Sequence, residues 1–306
     1  MHLETFDPHE PFYAPQKYIE LYPEDYTGKH FDWPRGKAEE TEEETQHCRR
    51  QYQALTTMCD YNLQRILNRM DRLDLWKDTM LIVGTDHGFL LAEHGYWGKN
   101  QMPYYNEIAS TPLFIWDPRF QRAGEVRKSL VQMIDWAPTI LSYFGCSIPP
   151  DVQGKDLAGV LDRDEPVRKY ALYGTFSGHV NITDGRYVYM RAPVPEKSEE
   201  IYNYTLMPMH MNERFSTEEL KGAVLAPPFS FTKGCPVLKI KARDKYKVGK
   251  FGTLLFDLEK DPGQLYPIQD AAVEEQMVKT MIRLMKENDS PPEQFIRLGF
   301  SKKTVY

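Results

Sequence analysis

Cysteine is scarce in this chain. Cys48, Cys59, Cys146 and Cys235 are the four in 306 residues. They lie far apart with no Cys-x-x-Cys pair, which argues against a zinc knuckle and against a disulfide framework. No Gly-x-Ser-x-Gly elbow, glycine-rich phosphate loop or His-Glu-x-x-His occurs, so no self-contained nucleophile or zinc-protease signature is present. No apolar run approaches the roughly 20 residues of a membrane-spanning helix. Basic charge is not in excess: the net charge is −6, and no field extends over the chain to hold nucleic acid. The group Lys239-Ile240-Lys241-Ala242-Arg243-Asp244-Lys245 reads as a solvated strand or loop. The opening Met1-His2-Leu3-Glu4-Thr5-Phe6 lacks the basic start and apolar core of a secretory signal. Isolated thiols fit a reducing compartment without requiring one, and the compartment stays unassigned.

Hydrophobic residues make up 41% and charged residues 27%, the balance of a globular protein with a real core. The first thirty-odd residues, rich in Pro, Tyr and charge, read as a long irregular segment, and such segments often carry function. Thr41-Glu42-Glu43-Glu44 has the form of a capping box opening a helix. Tyr52, Leu55, Cys59, Leu63, Ile66, Met70 and Leu73 then repeat at helical spacing, placing the end near Asp74. Residues 79–85 predict an apolar strand covered on both faces, as in a parallel sheet. Residues 112–116 predict a second strand. Residues 129–144 predict a helix that Pro138 kinks or splits, closed by Gly145. After about residue 165 the rhythm changes to short strands at 170–173, 180–182 and 187–190, with Asp184-Gly185 as a hairpin signal. Residues 195–235 read as an extended loop, 253–256 as a strand and 271–286 as an amphipathic helix. The expected division is 1–165, a helix-covered α/β sheet, and 166–306, a small antiparallel subdomain with a terminal helix.

The chemistry concentrates after the first strand. Leu81-Ile82-Val83-Gly84 empties into Thr85-Asp86-His87-Gly88, with Glu93, His94, Gly95 and Lys99 close behind. A strand end is where open α/β folds present ligands. A carboxylate and an imidazole both ligate divalent cations, and Gly88 lets the backbone turn away. Adjacent strand residues point to opposite faces, so both can ligate only if the strand has already ended. The competing reading is a plain turn, with Asp86 capping and His87 packing. Lys99 suits an anionic oxygen or a leaving group, against a surface lysine. His94 suits a substrate pocket, against packing. His9, between two prolines, suits a positioned acid or donor, against a rigid loop.

Taken in order, these segments resemble the sulfatase family of the alkaline-phosphatase superfamily. Phe6-Asp7-Pro8-His9-Glu10-Pro11-Phe12 resembles its active-site histidine segment. Thr85-Asp86-His87-Gly88 with Ala92-Glu93-His94-Gly95 and Gly98-Lys99 resembles its metal-and-lysine segment. Thr111-Pro112-Leu113-Phe114-Ile115 resembles the strand that follows. Asp135-Trp136-Ala137-Pro138-Thr139, Val152-Gln153-Gly154-Lys155-Asp156-Leu157 and the stretch from Leu255 to Pro262 match further landmarks.

The resemblance implies an alkaline-phosphatase-like mixed α/β sheet flanked by helices, incomplete at its N-terminal side, with a small C-terminal antiparallel sheet and helix. It implies metal-dependent hydrolysis of sulfate esters, on a sulfated small molecule or sugar. Asp86 and His87 become ligands of a divalent metal, calcium in most of the family. Lys99 bridges the sulfate and the ester oxygen, and His9 bonds and protonates the leaving oxygen. His94 and His179 line the substrate pocket. The family's Cys-or-Ser-x-Pro-x-Arg segment, source of its formylglycine nucleophile, is not in this sequence, nor is the segment with its paired acidic ligands. The resulting expectation is a chain inactive alone, with a sheet edge that an oligomer or partner chain covers. Two alternatives are a non-catalytic binding or assembly subunit, and a phosphate- or phosphonate-ester hydrolase of the same superfamily.

Overall fold

The computed structural model of the chain describes residues 1–195, 201–207, 209–210, 213–243 and 247–301. Asp244 and Lys245 of the basic group lie outside the described residues. The chain forms two units, Met1–Gln101 with Glu107–Ala123, and Met102–Asn106 with Gly124–Tyr306.

The first unit is organised by one long helix. After β1 (Gly36–Lys37), helix α1 runs over Glu42–Arg72, opened by the expected box: the Thr41 side chain accepts from the Glu44 amide, and the Glu44 carboxylate accepts from the Thr41 amide. Its N-terminal half packs Cys48, Ala54 and Leu55 against Phe12, Ala14, Tyr18 and Trp97. The predicted apolar stripe holds only in part. Leu55 and Met70 are buried, Tyr52, Cys59, Leu63 and Ile66 are half-buried, and Leu73 is exposed.

Strand β2 (Leu81–Gly84) is half-buried and pairs antiparallel with β5 (Leu113–Trp116), Leu81 opposite Trp116 and Gly84 opposite Leu113. This corrects the expectation of a doubly covered parallel strand. An apolar run reports burial tendency, not the direction of its neighbour. Between them, β3 (Leu90–Leu91) and β4 (Tyr96–Gly98) form a tight hairpin, and β4 also pairs with β1, making it the central strand of three.

The second unit begins with irregular chain. Helix α2 covers only Trp136–Tyr143, after a 3-10 turn at Met133–Asp135. Pro138 therefore sits in a first helical turn, where its missing N–H costs nothing, and there is no kink. Gly145, at φ 67°, closes the helix as expected. Helix α3 (Ala158–Arg163) follows. Four strands, β6 (Ala171–Gly174), β7 (Val180–Thr183), β8 (Tyr187–Arg191) and β12 (Leu254–Asp257), form an antiparallel sheet in the order β12-β8-β7-β6. Asp184-Gly185 makes the predicted hairpin, the Asp184 carboxylate accepting from the Arg186 and Tyr187 amides at 3.0 and 2.7 Å. Helix α4 (Ala271–Glu287) lays Met277, Met281 and Met285 over Ile182, Tyr189 and Leu255, and α5 (Pro292–Arg297) adds Phe295.

Residues 195–235 are not a featureless loop. They contain β9 (Tyr202–Thr205), a one-turn helix with a Ser216–Glu219 capping box, and β10 (Val224–Ala226), while 196–200, 208 and 211–212 lie outside the described residues. Strands β10 and β9 flank β11 (Val237–Lys241). Such strands are too short to set up a readable alternation; pairing with β11 defines them.

Candidate active site

The His9 loop and the end of β4, 90 residues apart in sequence, meet in the first unit. Lys99 directly follows the central strand β4, and its Nζ lies 3.0 Å from His9 Nε2 and 3.4 Å from Glu10 Oε2. His9 Nδ1 lies 2.6 Å from the Glu10 carbonyl oxygen. That partner accepts only, so Nδ1 carries the hydrogen, and Nε2 is left to accept from the Lys99 ammonium. The His9 ring rests on Phe6, centroids 4.6 Å apart, and the Lys99 ammonium stands 5.7 Å over the Phe89 ring. The Lys99 and Glu10 side chains are 14% and 15% exposed, whereas His9 is 40% exposed. A desolvated cation therefore points at an imidazole that solvent can reach.

Asp86 and His87 lie just beyond the end of β2 at Gly84, which meets the condition that the strand has ended. Asp86 Oδ2 is 3.3 Å from His87 Nε2, and the Asp86 Oδ1 accepts the His87 amide at 2.9 Å. His87 Nδ1 donates to the Gly88 carbonyl at 3.0 Å, leaving Nε2 on the carboxylate side. Gly88 is required by contact rather than by φ: a Cβ there would stand 1.8 Å from the Glu107 carbonyl oxygen, and its amide donates to the Ile108 carbonyl at 2.8 Å.

His94 occupies the β3–β4 turn at φ 54°, next to Ala92 at φ 77° and Gly95 at φ 72°. Its ring is buried and meets Glu107 Oε1 at 3.2 Å. Burial pushes the Glu107 carboxyl up and is the largest single influence, but the hydrogen bond from His94, a backbone hydrogen bond and the charge of His94 together outweigh it and lower the pKa. His179 belongs to the second unit. It is 3% exposed, with Nε2 2.8 Å from the Gly252 carbonyl oxygen, and burial lowers its pKa.

The first unit thus contains His9, Asp86, His87, His94 and Lys99, with His9 and Lys99 in direct contact. Glu10 and Glu107 escaped the sequence reading. Glu10 is signalled only by adjacency to His9. Nothing in the sequence ties Glu107 to His94. Among the thiols, Cys48 is buried and pushed up to about 12, so it is no nucleophile.

A hard divalent cation takes six or more oxygen ligands. Among the described residues no group of three or more His, Cys, Asp or Glu side chains could hold a metal ion. Asp86 and His87 alone do not fit such an ion.

A sulfatase family model matches residues 1–146, and a model described as N-sulphoglucosamine sulphohydrolase, C-terminal, matches residues 92–224. The N-acetylglucosamine-6-O-sulfatase of Bacteroides thetaiotaomicron is 34% identical over 115 residues. This chain belongs to the sulfatase family.

That alignment covers 38% of this chain and 20% of the Bacteroides sulfatase. Human arylsulfatase K is 30% identical over 138 residues, covering 45% of this chain and 25% of the relative. The aligned segments thus span a quarter or less of the length of these sulfatases. Its alkaline-phosphatase-like fold agrees with solved structures. One, from glycosaminoglycan metabolism in Bacteroides thetaiotaomicron, superposes with a TM-score of 0.61 at 21% identity, covering 96% of this chain and 55% of the other. Another, a complex with D-glucosamine-2-N,6-O-disulfate, gives 0.57 at 20% identity, covering 83% and 44%.

Proposed function

We propose that this chain supplies the histidine–lysine part of a sulfate-ester hydrolase site, with a sulfated sugar or small molecule as substrate. The observation that carries the reading is the Lys99–His9 contact of 3.0 Å across the fold of the first unit. The Lys99 ammonium is a donor for a sulfate oxygen and for the bridging ester oxygen. His9 Nε2 is the nitrogen that meets the leaving-group oxygen, because Nδ1 is committed to the Glu10 carbonyl. Once protonated there, His9 hands that proton to the departing alkoxide, and Lys99 stabilises the charge as it develops. Glu10 holds both groups in place. Asp86 and His87 belong to a cation site that this chain's described residues do not complete, and His94 lines the same pocket. The relative named N-acetylglucosamine-6-O-sulfatase supports a sugar as the organic part.

With no Cys-x-Pro-x-Arg or Ser-x-Pro-x-Arg in the sequence, the isolated chain is expected to bind without turning over. Titrating it with glucosamine 6-sulfate should shift the His9 and Lys99 side-chain NMR signals, while unsulfated glucosamine should not. Lys99→Ala should weaken binding about tenfold, the loss of one charged hydrogen bond. Equal response to both sugars removes the reading. Tighter binding of a phosphate or phosphonate ester moves it to the alternative substrate class. Turnover of an aryl sulfate by the chain with calcium overturns the expected inactivity.

A further inference from the structure

A second histidine cluster, unconnected with the sulfate chemistry, joins the loop before β1 to helix α1. His47 is buried, and its Nδ1 lies 2.6 Å from Glu24 Oε1, whose other oxygen accepts from Arg50 at 2.9 Å. His47 Nε2 lies 3.2 Å from His30 Nδ1, and His30 Nε2 lies 3.3 Å from Asp32 Oδ2. Tyr26 stacks on His47 with ring centroids 4.5 Å apart; beyond these groups, Glu43 and Glu44 act electrostatically on Tyr26. The row therefore reads Asp32–His30–His47–Glu24–Arg50.

Counting hydrogens fixes the charge of this row. Each carboxylate contact needs an N–H, and the histidine–histidine contact needs one N–H facing one lone pair. Of the four ring nitrogens, three must be protonated, so the pair carries one positive charge. Two neutral rings supply only two hydrogens for the three contacts, so one contact is left without a donor. Two charged rings set N–H against N–H at the central contact. Asp32 is also structural: its carbonyl accepts the Phe12 amide at 2.7 Å, and Phe12 is the buried footing of the His9 loop, packed edge-on against Tyr52 and Phe89.

We propose that His30 and His47 share one proton and act as a pH-operated latch on the loop that carries His9. The latch is closed while the pair holds a single charge. It opens when that proton is lost, and again when a second is gained. The latch is independent of what His9 binds, so its failure and the failure of the sulfate reading are separable.

Hydrogen exchange of the Phe12 amide in the full chain, corrected for the intrinsic rate and followed from pH 5 to 9, tests it. Protection should pass through a maximum and fall about tenfold on the alkaline side, as expected for loss of one charge-assisted contact. His30→Gln, at a side chain 59% exposed, should leave the fold intact and flatten the profile. Asp32→Asn should flatten its alkaline limb. Imidazole nitrogen spectra at the maximum should show three protonated nitrogens among the four. A parent profile that is already flat, a His30→Gln profile identical to the parent, or two neutral rings at the maximum overturns the proposal.

Discussion

Single side chains in this protein are read best by what they touch. His179 shows why. In sequence it is one histidine among eight, and family resemblance places it near substrate. In the structure its ring is shut inside the second unit on the Gly252 carbonyl, and burial lowers its pKa despite that bond. The folded state binds this proton less readily than the unfolded chain. Stability associated with His179 is present above about pH 6.5 and is lost as pH falls below it. His179→Gln should therefore flatten the decline in melting temperature between pH 7 and 5 relative to the parent, measured by calorimetry. An unchanged slope would separate that decline from His179. His9 is the opposite case: its flanking prolines marked it in the sequence, but which ring nitrogen faces Lys99 is decided by the Glu10 carbonyl, a contact of 2.6 Å that no motif records.

At the level of elements, local signals were legible and non-local ones were not. The Thr41 box, the Asp184-Gly185 turn and the α4 stripe are written in neighbouring residues, and all three form. The direction of β2, the strands within 195–235 and the cover on the second half of α1 depend on chain far away. Two family landmarks turn out to be one structural joint. Asp135, 0% exposed, accepts the Gln132 amide at 2.7 Å, the Lys155 amide at 2.8 Å and both guanidinium nitrogens of Arg168 at 2.5 Å. Thr139 Oγ accepts the Leu157 amide at 3.0 Å, tying α2 to the segment before α3. Arg168→Met should cost about 3–5 kcal/mol in chemical unfolding, because it strands a buried carboxylate. A loss under about 1 kcal/mol would show the backbone amides to be sufficient partners.

For the molecule as a whole, the residues that carry the proposed chemistry lie in the first unit, and the family was legible because its landmarks occur in order along the chain. What the sequence could not convey is how few donors meet. Asp86 and His87 stand beside each other without a third metal-binding side chain among the described residues. Millimolar calcium should accordingly leave the melting temperature of this chain unchanged, since stabilisation by a ligand requires occupancy of the folded state. A rise of several degrees that Asp86→Asn abolishes would reveal a complete site. The path of the chain has its own consequence. Residues Met102–Asn106 belong to the second unit although the first unit continues through Glu107–Ala123. Met102 and Tyr105 are buried, and the Asn106 amide donates to the Gln264 side chain at 2.6 Å. No single scission therefore frees the first unit cleanly: a fragment ending at Ala123 carries apolar side chains torn from their pocket. The backbone passes between the two units three times, so the sequence of neither is one continuous stretch that a single cut could excise.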